Sequence, residues 1–268
     1  MPELEDTHAD VLRKAMVGLK IPADLAAERA GIDPARVRSL LNEYSDREAL
    51  EKLAPVLGLS SKGLIDLAEN RWYPEVTIPH GLIQVSTEFR GGEVNAFVLY
   101  DSERNAVVFD TGTDPQPLFD AVEGHALQVQ AIFITHGHRD HISCLPDLSA
   151  RWAVPVYAVD SQRVLGATAL CYGNRYQVGA LNLRILKTVG HAADGASVVV
   201  EGLSQPLVVV GDALFAGSMG GGMVSFSQAY ESSLSQLMSL DPETLVCPGH
   251  GPLTTIGQEQ EHNAFFGE

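Results

Sequence analysis

The chain has 268 residues, a hydrophobic fraction of 45% and a mean hydropathy near zero, values typical of a globular protein with a sizeable core. A net charge of −16 disfavours non-specific binding to nucleic acid or to an anionic membrane, because both surfaces are themselves negative. No apolar run approaches the roughly 20 residues of a membrane span, and the acidic start MPELEDTHAD lacks the apolar region of a secretory signal. Three widely spaced cysteines do not suggest a disulfide framework, so we predict a cytoplasmic protein.

The first 72 residues are predicted to form a helical domain. Apolar residues recur at spacings of three and four from Thr7 to about Asn70, as on the buried faces of helices. The pattern is interrupted at IPAD, GIDP, YSD and GLSS, each of which contains residues that end or begin helices. We therefore expect five short helices, then a junction at residues 70–77, with a second domain over residues 73–268.

The stretch LAAERAGIDPARVRSLLNE, with DREALEKLAPVLGLSSKGLIDLAE after it, resembles a helix-turn-helix domain of the Cro and lambda-repressor type. Its turn would be Ala30-Gly31-Ile32, with Asp33 as N-cap and Pro34 opening the recognition helix. That helix would present Arg36, Arg38, Asn42 and Glu43. The resemblance implies DNA as a partner. Residues 1–75 nevertheless contain 10 basic and 14 acidic residues, so a module for dimerisation or for covering an active site is an equal alternative.

Strand-like runs replace the helical pattern after the junction. Nine strands are predicted, at residues 81–87, 94–100, 106–109, 130–135, 154–159, 181–189, 197–201, 207–210 and 244–247. Helical patterns lie between several of them, at residues 115–123, 142–152, 161–169, 226–240 and 256–266. Strands in two groups with interspersed helices predict an α/β domain in which two sheets lie between layers of helices.

The densest group of polar residues is Thr135–His141, with the sequence THGHRDH, directly after an apolar strand. Three histidines and an aspartate within six positions suit zinc, iron or manganese. His136 and His138 are two residues apart and can point in one direction, whereas Asp140 and His141 open the next helix and can face a second point. One short loop could therefore address two metal ions. The alternative, a histidine-rich surface loop, is disfavoured by the apolar strand before it.

Four more candidate residues follow strand-like runs elsewhere in the chain. They are Asp110 in FDTG, His191 in VGHAADGAS, Asp212 in VVVGDALFAGS and His250 in VCPGHGP. Each lies beside a glycine-containing turn, where the backbone can approach a bound ion closely.

Together these motifs resemble the metallo-β-lactamase superfamily, and their spacing is similar to that of its glyoxalase II and persulfide dioxygenase branches. The resemblance spans residues 76 to about 255 and implies an αββα sandwich with a metal site at the edge of the two sheets. It implies one divalent ion held by His136, His138 and His191, a second held by Asp140, His141 and His250, and Asp212 bridging the two. Asp140 would also act as a catalytic residue by orienting the attacking water, while Asp110 would fix the loop or a ligand histidine. We favour zinc, with iron and manganese as alternatives.

The leading functional interpretation is hydrolysis of a small ester, thioester or lactone by a water that two metal ions activate. Glyoxalase II relatives bind the carboxylates of glutathione with basic residues after the third histidine and in a C-terminal helical extension. This chain has no lysine or arginine after Lys187, so glutathione thioesters are poor candidates, although Arg139, Arg163 and Arg175 could bind another anionic group. The sequence GSMGGGM at residues 217–223 also departs from the family and predicts a flexible rim or, as we prefer, a tight turn.

Other functions would use the same residues differently. A mononuclear iron dioxygenase of persulfides would hold iron on His136, His191 and Asp212 and leave positions open for oxygen. A regulator would bind DNA through residues 1–72 and sense a ligand through the metal domain. Phosphodiester hydrolysis also suits two metal ions, but the acidic domain makes a polyanionic substrate a poor fit. We therefore expect a small-molecule substrate and no membrane partner, and the helical module is consistent with a homodimer.

Overall fold

A computed structural model describes residues 3–160, 164 and 166–267. Its N-terminal region contains the five predicted helices, α1 (His8–Leu19), α2 (Ala23–Ala30), α3 (Pro34–Leu41), α4 (Arg47–Leu53) and α5 (Ser61–Ala68). Asp33 caps α3 by accepting a hydrogen bond from Ala35 N, and Pro34 occupies the first position of the helix, as predicted. Gly31 ends α2 in the left-handed conformation, which glycine adopts without a Cβ clash.

The helical region shares its hydrophobic core with residues from the C-terminal part of the chain. Buried side chains from all five helices form one cluster, and Met219, Ala229 and Phe265 belong to the same cluster. The junction also packs closely, since the Trp72 ring stacks on His262 with centroids 4.8 Å apart. Burial of this shared apolar surface therefore holds the helical region against the rest of the molecule.

Two six-stranded sheets follow the junction. The first contains, in spatial order, β1 (Leu82–Phe89), β2 (Gly92–Tyr100), β3 (Asn105–Phe109), β4 (Gln128–Phe133), β5 (Val156–Ala158) and β6 (Thr168–Ala169). The second contains, from the opposite edge, β7 (Arg175–Val178), β8 (Leu181–Lys187), β9 (Ala196–Glu201), β10 (Leu207–Gly211), β11 (Leu245–Pro248) and β12 (Thr254–Thr255). Strands β3 to β6 run parallel, as do β10 and β11, so the carboxyl ends of neighbouring strands meet within each sheet.

Helices cover the outer faces of both sheets, which gives the αββα sandwich that the resemblance implied. These helices are α6 (Gln116–Gly124), α7 (Arg139–Ile142), α8 (Leu145–Trp152), α9 (Phe226–Gln236) and α10 (Ile256–His262). Phe109 and Val209 lie in the core between the sheets, whereas their neighbours Val108 and Val208 pack in the outer clusters beneath the helices. Successive side chains point to opposite faces of a strand, so the central strands are apolar throughout.

Several elements differ from the sequence prediction. The helix predicted at residues 142–152 is α8, which begins three residues later, at Leu145, with Pro146 in its first turn, where no backbone N–H donor is needed. The separate short helix α7 ends at Ile142. The helix predicted at residues 161–169 lies partly outside the described residues, and its end forms β6 instead. Strands β7 and β12 were not predicted, since edge strands of two to four residues show too little periodicity. The other predicted strands and helices are confirmed, with ends shifted by a few residues.

The described part of the chain contains neither a membrane-spanning helix nor a disulfide bond. None of its helices is both long and apolar enough to cross a bilayer. All three cysteines are free thiols, with Cys144 and Cys247 buried and Cys171 exposed. Burial raises the pKa of Cys144 to about 11, which keeps this group a thiol near neutral pH.

Candidate metal centre

The structure brings all seven predicted ligand side chains together at the strand ends. They lie on loops and helix starts after β4 (His136, His138, Asp140 and His141), after β8 (His191), after β10 (Asp212) and after β11 (His250). Strand ends of both sheets therefore contribute, and the sandwich fold brings together residues more than 100 positions apart.

The first group of side chains consists of His136, His138, His191 and Asp212, whose ligand atoms all lie within 4.8 Å of one another. His138 Nδ1 lies 2.9 Å from His136 Nε2 and 3.1 Å from His191 Nε2. Asp212 Oδ2 lies 3.3 Å from His191 Nε2 and 3.9 Å from His136 Nε2. Three imidazole nitrogens and one carboxylate oxygen thus face one point, a donor set that suits zinc or iron.

The second group consists of Asp140, His141 and His250, again with ligand atoms within 4.8 Å of one another. Asp140 Oδ2 lies 3.3 Å from His250 Nε2 and 3.6 Å from His141 Nε2. Asp212 reaches this group too, since its Oδ1 lies 3.3 Å from His141 Nε2 and its Oδ2 lies 3.6 Å from His250 Nε2. The Asp212 carboxylate therefore lies between the two groups.

Backbone carbonyls on the outer side fix two of the histidine rings. His191 Nδ1 donates to Gly221 O at 2.9 Å, and His250 Nδ1 donates to Glu93 O at 2.7 Å. Because a carbonyl oxygen can only accept, Nδ1 must carry the proton, and in the neutral ring Nε2 directs its lone pair toward the centre.

Asp110 fixes the other side of the centre, in the supporting position that the sequence predicted. Its Oδ2 accepts hydrogen bonds from His141 Nδ1 and from Thr135 Oγ1, both at 2.8 Å, and its Oδ1 accepts from Thr135 N at 2.8 Å. The Thr135 hydroxyl oxygen lies 3.1 Å from His136 Nδ1, so it accepts from that ring. Asp110 has a φ of 57°, an unfavourable value for a residue with a Cβ atom, which these hydrogen bonds help to hold.

The electrostatics of the first group favour the states that bind a cation. Burial lowers the pKa of His136 well below its ordinary value, and burial also lowers the pKa of His191. Burial alone would raise the pKa of Asp212, but the charges of His141 and His136 outweigh it and hold that pKa well below its ordinary value. Neutral imidazoles beside an ionised carboxylate are the forms in which these groups ligate metals.

The second group holds its protons more tightly in the absence of a cation. Burial alone would lower the pKa of His141, but the charges of Asp110 and Asp212 raise it well above its ordinary value. Burial alone would also lower the pKa of His250. The hydrogen bond with Asp140 and the charge of Asp212 outweigh burial and raise this pKa to about 9. A metal ion binding here would therefore release protons.

Two buried atoms at the centre have no hydrogen-bond partner among the described residues, His141 Nε2 and Asp212 Oδ1. An unsatisfied buried polar atom costs about 1–3 kcal/mol. A divalent cation between the nitrogen and the oxygen would satisfy both, so the residues present fit a metal ion.

An open pocket of about 480 Å³ leads to the centre. Besides five of the candidate ligands, its lining includes Glu5, Arg90 and Arg139. Of the three arginines predicted to bind an anionic group, Arg139 lies at this pocket. Arg175 is on the edge strand β7, and Arg163 lies outside the described residues. Arg90 and Glu5 were not predicted, because no sequence pattern connects either residue with the histidine motif.

Asp194 is a supporting residue that the sequence interpretation did not identify. It is 5% exposed, and its Oδ2 accepts a hydrogen bond at 2.9 Å from the backbone N of Gly137, which lies between His136 and His138. The sequence signal that could have identified it is its position in AADG, three residues after the candidate ligand His191. Its contact fixes the loop that carries His136 and His138.

The loop that we call the metal loop, residues 212–223, is tightly packed at its glycines. Phe215 and Ser218 form an antiparallel bridge around Gly217, whose φ is 78°. A Cβ atom on Gly220 would lie 1.8 Å from Asp212 O and 3.0 Å from His191 Nδ1. These contacts favour the tight turn over the flexible rim.

The fold and the site define an αββα protein whose strand ends carry two adjacent sets of metal-ligand side chains. The chain belongs to the metallo-beta-lactamase superfamily, whose family model matches residues 89–170 and 173–250. These ranges contain all seven candidate ligands, while the helical region lies outside them.

Individual relatives agree with this membership. The chain is 28% identical over 198 residues to the probable metallo-hydrolase YqgX of Bacillus subtilis, a match that covers 65% of this chain and 92% of the relative. It is 26% identical over 199 residues to the hydroxyacylglutathione hydrolase GloC of Haemophilus influenzae, covering 64% of this chain and 92% of that protein. The crystal structure of ETHE1 from Myxococcus xanthus superposes with a TM-score of 0.59 at 28% identity, covering 68% of this chain and 83% of that one.

Proposed function

We propose that the protein is a metal-dependent hydrolase of a small ester, thioester or lactone. The observation that carries this proposal is the position of Asp212 between two groups of ligand side chains, since one shared carboxylate allows two ions to lie close together. His136, His138 and His191 would hold one ion, and Asp140, His141 and His250 the other. When bound, two such ions lower the pKa of a shared water and polarise the substrate oxygen. Zinc is our first candidate, with iron or manganese as alternatives.

Asp140 is the residue that we expect to orient the attacking water. Its side chain is 10% exposed at the pocket, with Oδ2 3.3 Å from His250 Nε2. Burial alone would raise its pKa, but the hydrogen bond with His250 and the charge of His141 lower it below the ordinary value. An ionised carboxylate can accept a hydrogen bond from water and direct its lone pair toward the substrate.

The charges at the pocket mouth favour a small substrate. Arg90 and Arg139 are exposed there and can bind one anionic group, whereas Glu5 carries the opposite charge on the His250 side. No lysine or arginine follows Lys187, so the basic residues that would bind two glutathione carboxylates are missing from residues 188–268. The similarity to GloC supports thioester chemistry without making glutathione thioesters the preferred substrate.

Metal content and a substrate panel together test this proposal. Protein purified without added metal should contain close to two divalent ions per chain and should hydrolyse members of a panel of esters, thioesters and lactones. Phosphodiesters are the control, which the acidic domain should exclude. Protein that binds no divalent metal, or that turns over none of the three ester classes, would contradict the proposal.

A mononuclear iron dioxygenase of persulfides is the second candidate, supported by the likeness to ETHE1. His136, His191 and Asp212 supply two imidazoles and one carboxylate in the first group, the set that leaves iron positions open for oxygen. One iron per chain, with oxygen uptake that depends on an added persulfide, would decide for this candidate against the hydrolase.

A DNA-binding regulator is disfavoured by the charges of the helical region. Arg36 on α3 donates a bidentate hydrogen bond to the Asp46 carboxylate. Arg38 forms an ion pair with Asp24, with Nη1 3.1 Å from Oδ1. The arginines of the candidate recognition helix are thus engaged within the protein, and DNA phosphates would have to displace carboxylates. We expect no salt-dependent shift of promoter DNA by the full-length protein at low ionic strength. A sequence-specific shift would instead favour the regulator.

A further inference from the structure

The metal loop controls the position of two candidate ligands. It begins at Asp212, whose carboxylate lies between the two groups, and it contains Gly221, whose carbonyl accepts the hydrogen bond that orients His191. A displacement of this loop would therefore move Asp212 directly and would release the His191 ring from its outer hydrogen bond.

The middle of the loop is held by residues of the helical region, far away in the sequence. Lys14 Nζ, on α1, donates a hydrogen bond to Met219 O at 2.9 Å and a second one to the Asp6 carboxylate. Asp6 Oδ2 also accepts from Ser218 Oγ at 2.5 Å. The Met219 side chain is fully buried in the core of the helical region.

These charged groups are shielded from solvent, which makes their geometry specific. The side chain of Asp6 is 8% exposed and that of Lys14 is 20% exposed. Removing one partner from such a pair leaves the other charge buried and uncompensated, so the pair strongly favours the arrangement in which both are satisfied. Lys14 Nζ also lies 5.2 Å from the centroid of the Phe215 ring, which contacts the His250 ring edge-on at 5.8 Å.

We propose that Lys14 and Asp6 are positioning residues of the metal centre, so that the helical region is a working part of the catalytic unit. This inference rests on the proposed metal binding and adds residues that lie outside the ranges matching the superfamily. The coupling is reciprocal: the docked α1 helix holds the metal loop in its ligating position, and a bound metal ion stabilises the docking of α1.

The test is a metal titration of full-length variants, using Zn²⁺ alone in competition with a chromophoric chelator. Lys14→Met and Asp6→Asn should each weaken the affinity for Zn²⁺ by roughly tenfold or more, the range seen when supporting partners of metal ligands are removed. Lys52→Met is the matched control, because it removes a lysine–glutamate pair on the exposed face of α4. Its affinity should equal that of the wild type.

A second readout separates positioning from a general loss of stability. Amide hydrogen exchange in α1 should slow when Zn²⁺ binds the wild type and the Lys52→Met control, and it should respond much less in Lys14→Met. If Lys14→Met does not fold, the same measurements on Ser218→Ala, which loses one hydroxyl donor, take its place.

The wild-type protein tests the proposed metal binding, and the variants test the positioning role. A wild type that binds no Zn²⁺ contradicts the metal site itself. A wild type that binds Zn²⁺, together with folded Lys14→Met, Asp6→Asn or Ser218→Ala proteins of equal affinity and equal exchange, overturns the positioning role alone.

Discussion

The orientation of each imidazole ring is the residue-scale feature on which the centre depends. His136, His141, His191 and His250 turn Nε2 inward and use Nδ1 in an outer hydrogen bond, whereas His138 turns Nδ1 toward its neighbours. Among the described residues, the outer nitrogen of His138 has no hydrogen-bond partner, whereas Thr135, Asp110, Gly221 and Glu93 fix the outer nitrogens of the other four rings. His138 is therefore held by the cluster itself.

Replacing His138 with alanine should abolish turnover and leave the fold intact. The side chain is half-buried and supplies one nitrogen to the first group, so its loss removes a ligand and little core packing. We expect the free energy of unfolding of the metal-free protein to change by less than about 1 kcal/mol. Activity assays and denaturant unfolding check both statements. His125→Ala, at an exposed histidine after α6, is the control, and activity near the wild-type level in His138→Ala would refute the ligand assignment.

A second residue-scale prediction concerns Glu259, which is fully buried and holds the metal loop from the C-terminal side. Its carboxylate accepts hydrogen bonds from Gly217 N at 2.9 Å and from Thr254 Oγ1 at 2.7 Å. Burial raises its pKa to about 7, although these hydrogen bonds and that of Asn263 act in the opposite direction. The folded state therefore binds this proton more tightly than the unfolded chain does.

The proton on Glu259 should make the fold more stable at low pH than at high pH. A raised carboxyl pKa stabilises the fold below the unfolded value near 4.5, and that contribution is lost as the pH rises through about 7. Glu259→Gln removes the titration, so the difference in unfolding free energy between variant and wild type should shift in favour of the variant, by up to about 3 kcal/mol, between pH 5 and pH 8. Glu231→Gln, on the exposed face of α9, should show no such shift. Parallel pH profiles for Glu259→Gln and the wild type would contradict the assignment.

At the scale of elements, the metal loop depends on a glycine that leaves no room for a side chain. A Cβ atom at Gly220 would collide with Asp212 O, whereas one at the neighbouring Gly221 would meet nothing closer than Lys14 Cε at 4.0 Å. The two glycines therefore form a matched pair of sites in the same loop.

Gly220→Ala should weaken metal binding and destabilise the protein, because the loop must shift to relieve the overlap. The cost of such overpacking is typically about 1–3 kcal/mol. Gly221→Ala should change both properties little. Thermal unfolding and metal titration of the two variants check the prediction, and equal behaviour of the pair would show that the loop is more adaptable than its packing indicates.

At the scale of the whole molecule, metal binding and folding should be linked. Candidate ligand side chains and unsatisfied atoms converge where strand ends of the two sheets meet, so an ion that binds there stabilises the folded chain and not the unfolded one. At a free metal concentration of 100 times the dissociation constant, binding increases the free energy of unfolding by about 2.7 kcal/mol.

Removal of metal with a chelator should therefore lower the melting temperature by about 5–10 °C for a chain of this size. Addition of Zn²⁺ should restore it, and the restoration should be smaller in His138→Ala. Scanning calorimetry of the metal-free and reloaded protein gives the comparison. An unchanged melting temperature with metal demonstrably bound would mean that the site is not coupled to the global fold.

Much of the fold was predictable because local rules decide it. Apolar spacings of three and four, and caps such as Asp33, define the N-terminal helices within a few residues. The long strands follow from apolar runs such as Leu207–Gly211 (β10), which is buried on both faces. The short edge strands β6, β7 and β12 could not be predicted, because strands of so few residues form only by pairing with a longer neighbour.

The sequence by itself identified the candidate ligand residues, since THGHRDH and the three later motifs concentrate histidine and aspartate at strand ends. Only the tertiary structure decided how these residues meet, that Asp194 supports the first motif, and that Lys14 reaches Met219 across 205 positions. The physical reason is range. Propensity and periodicity act over a few residues, whereas ligand geometry, burial and charge pairing depend on contacts that exist only after the two sheets and the helical region have packed together.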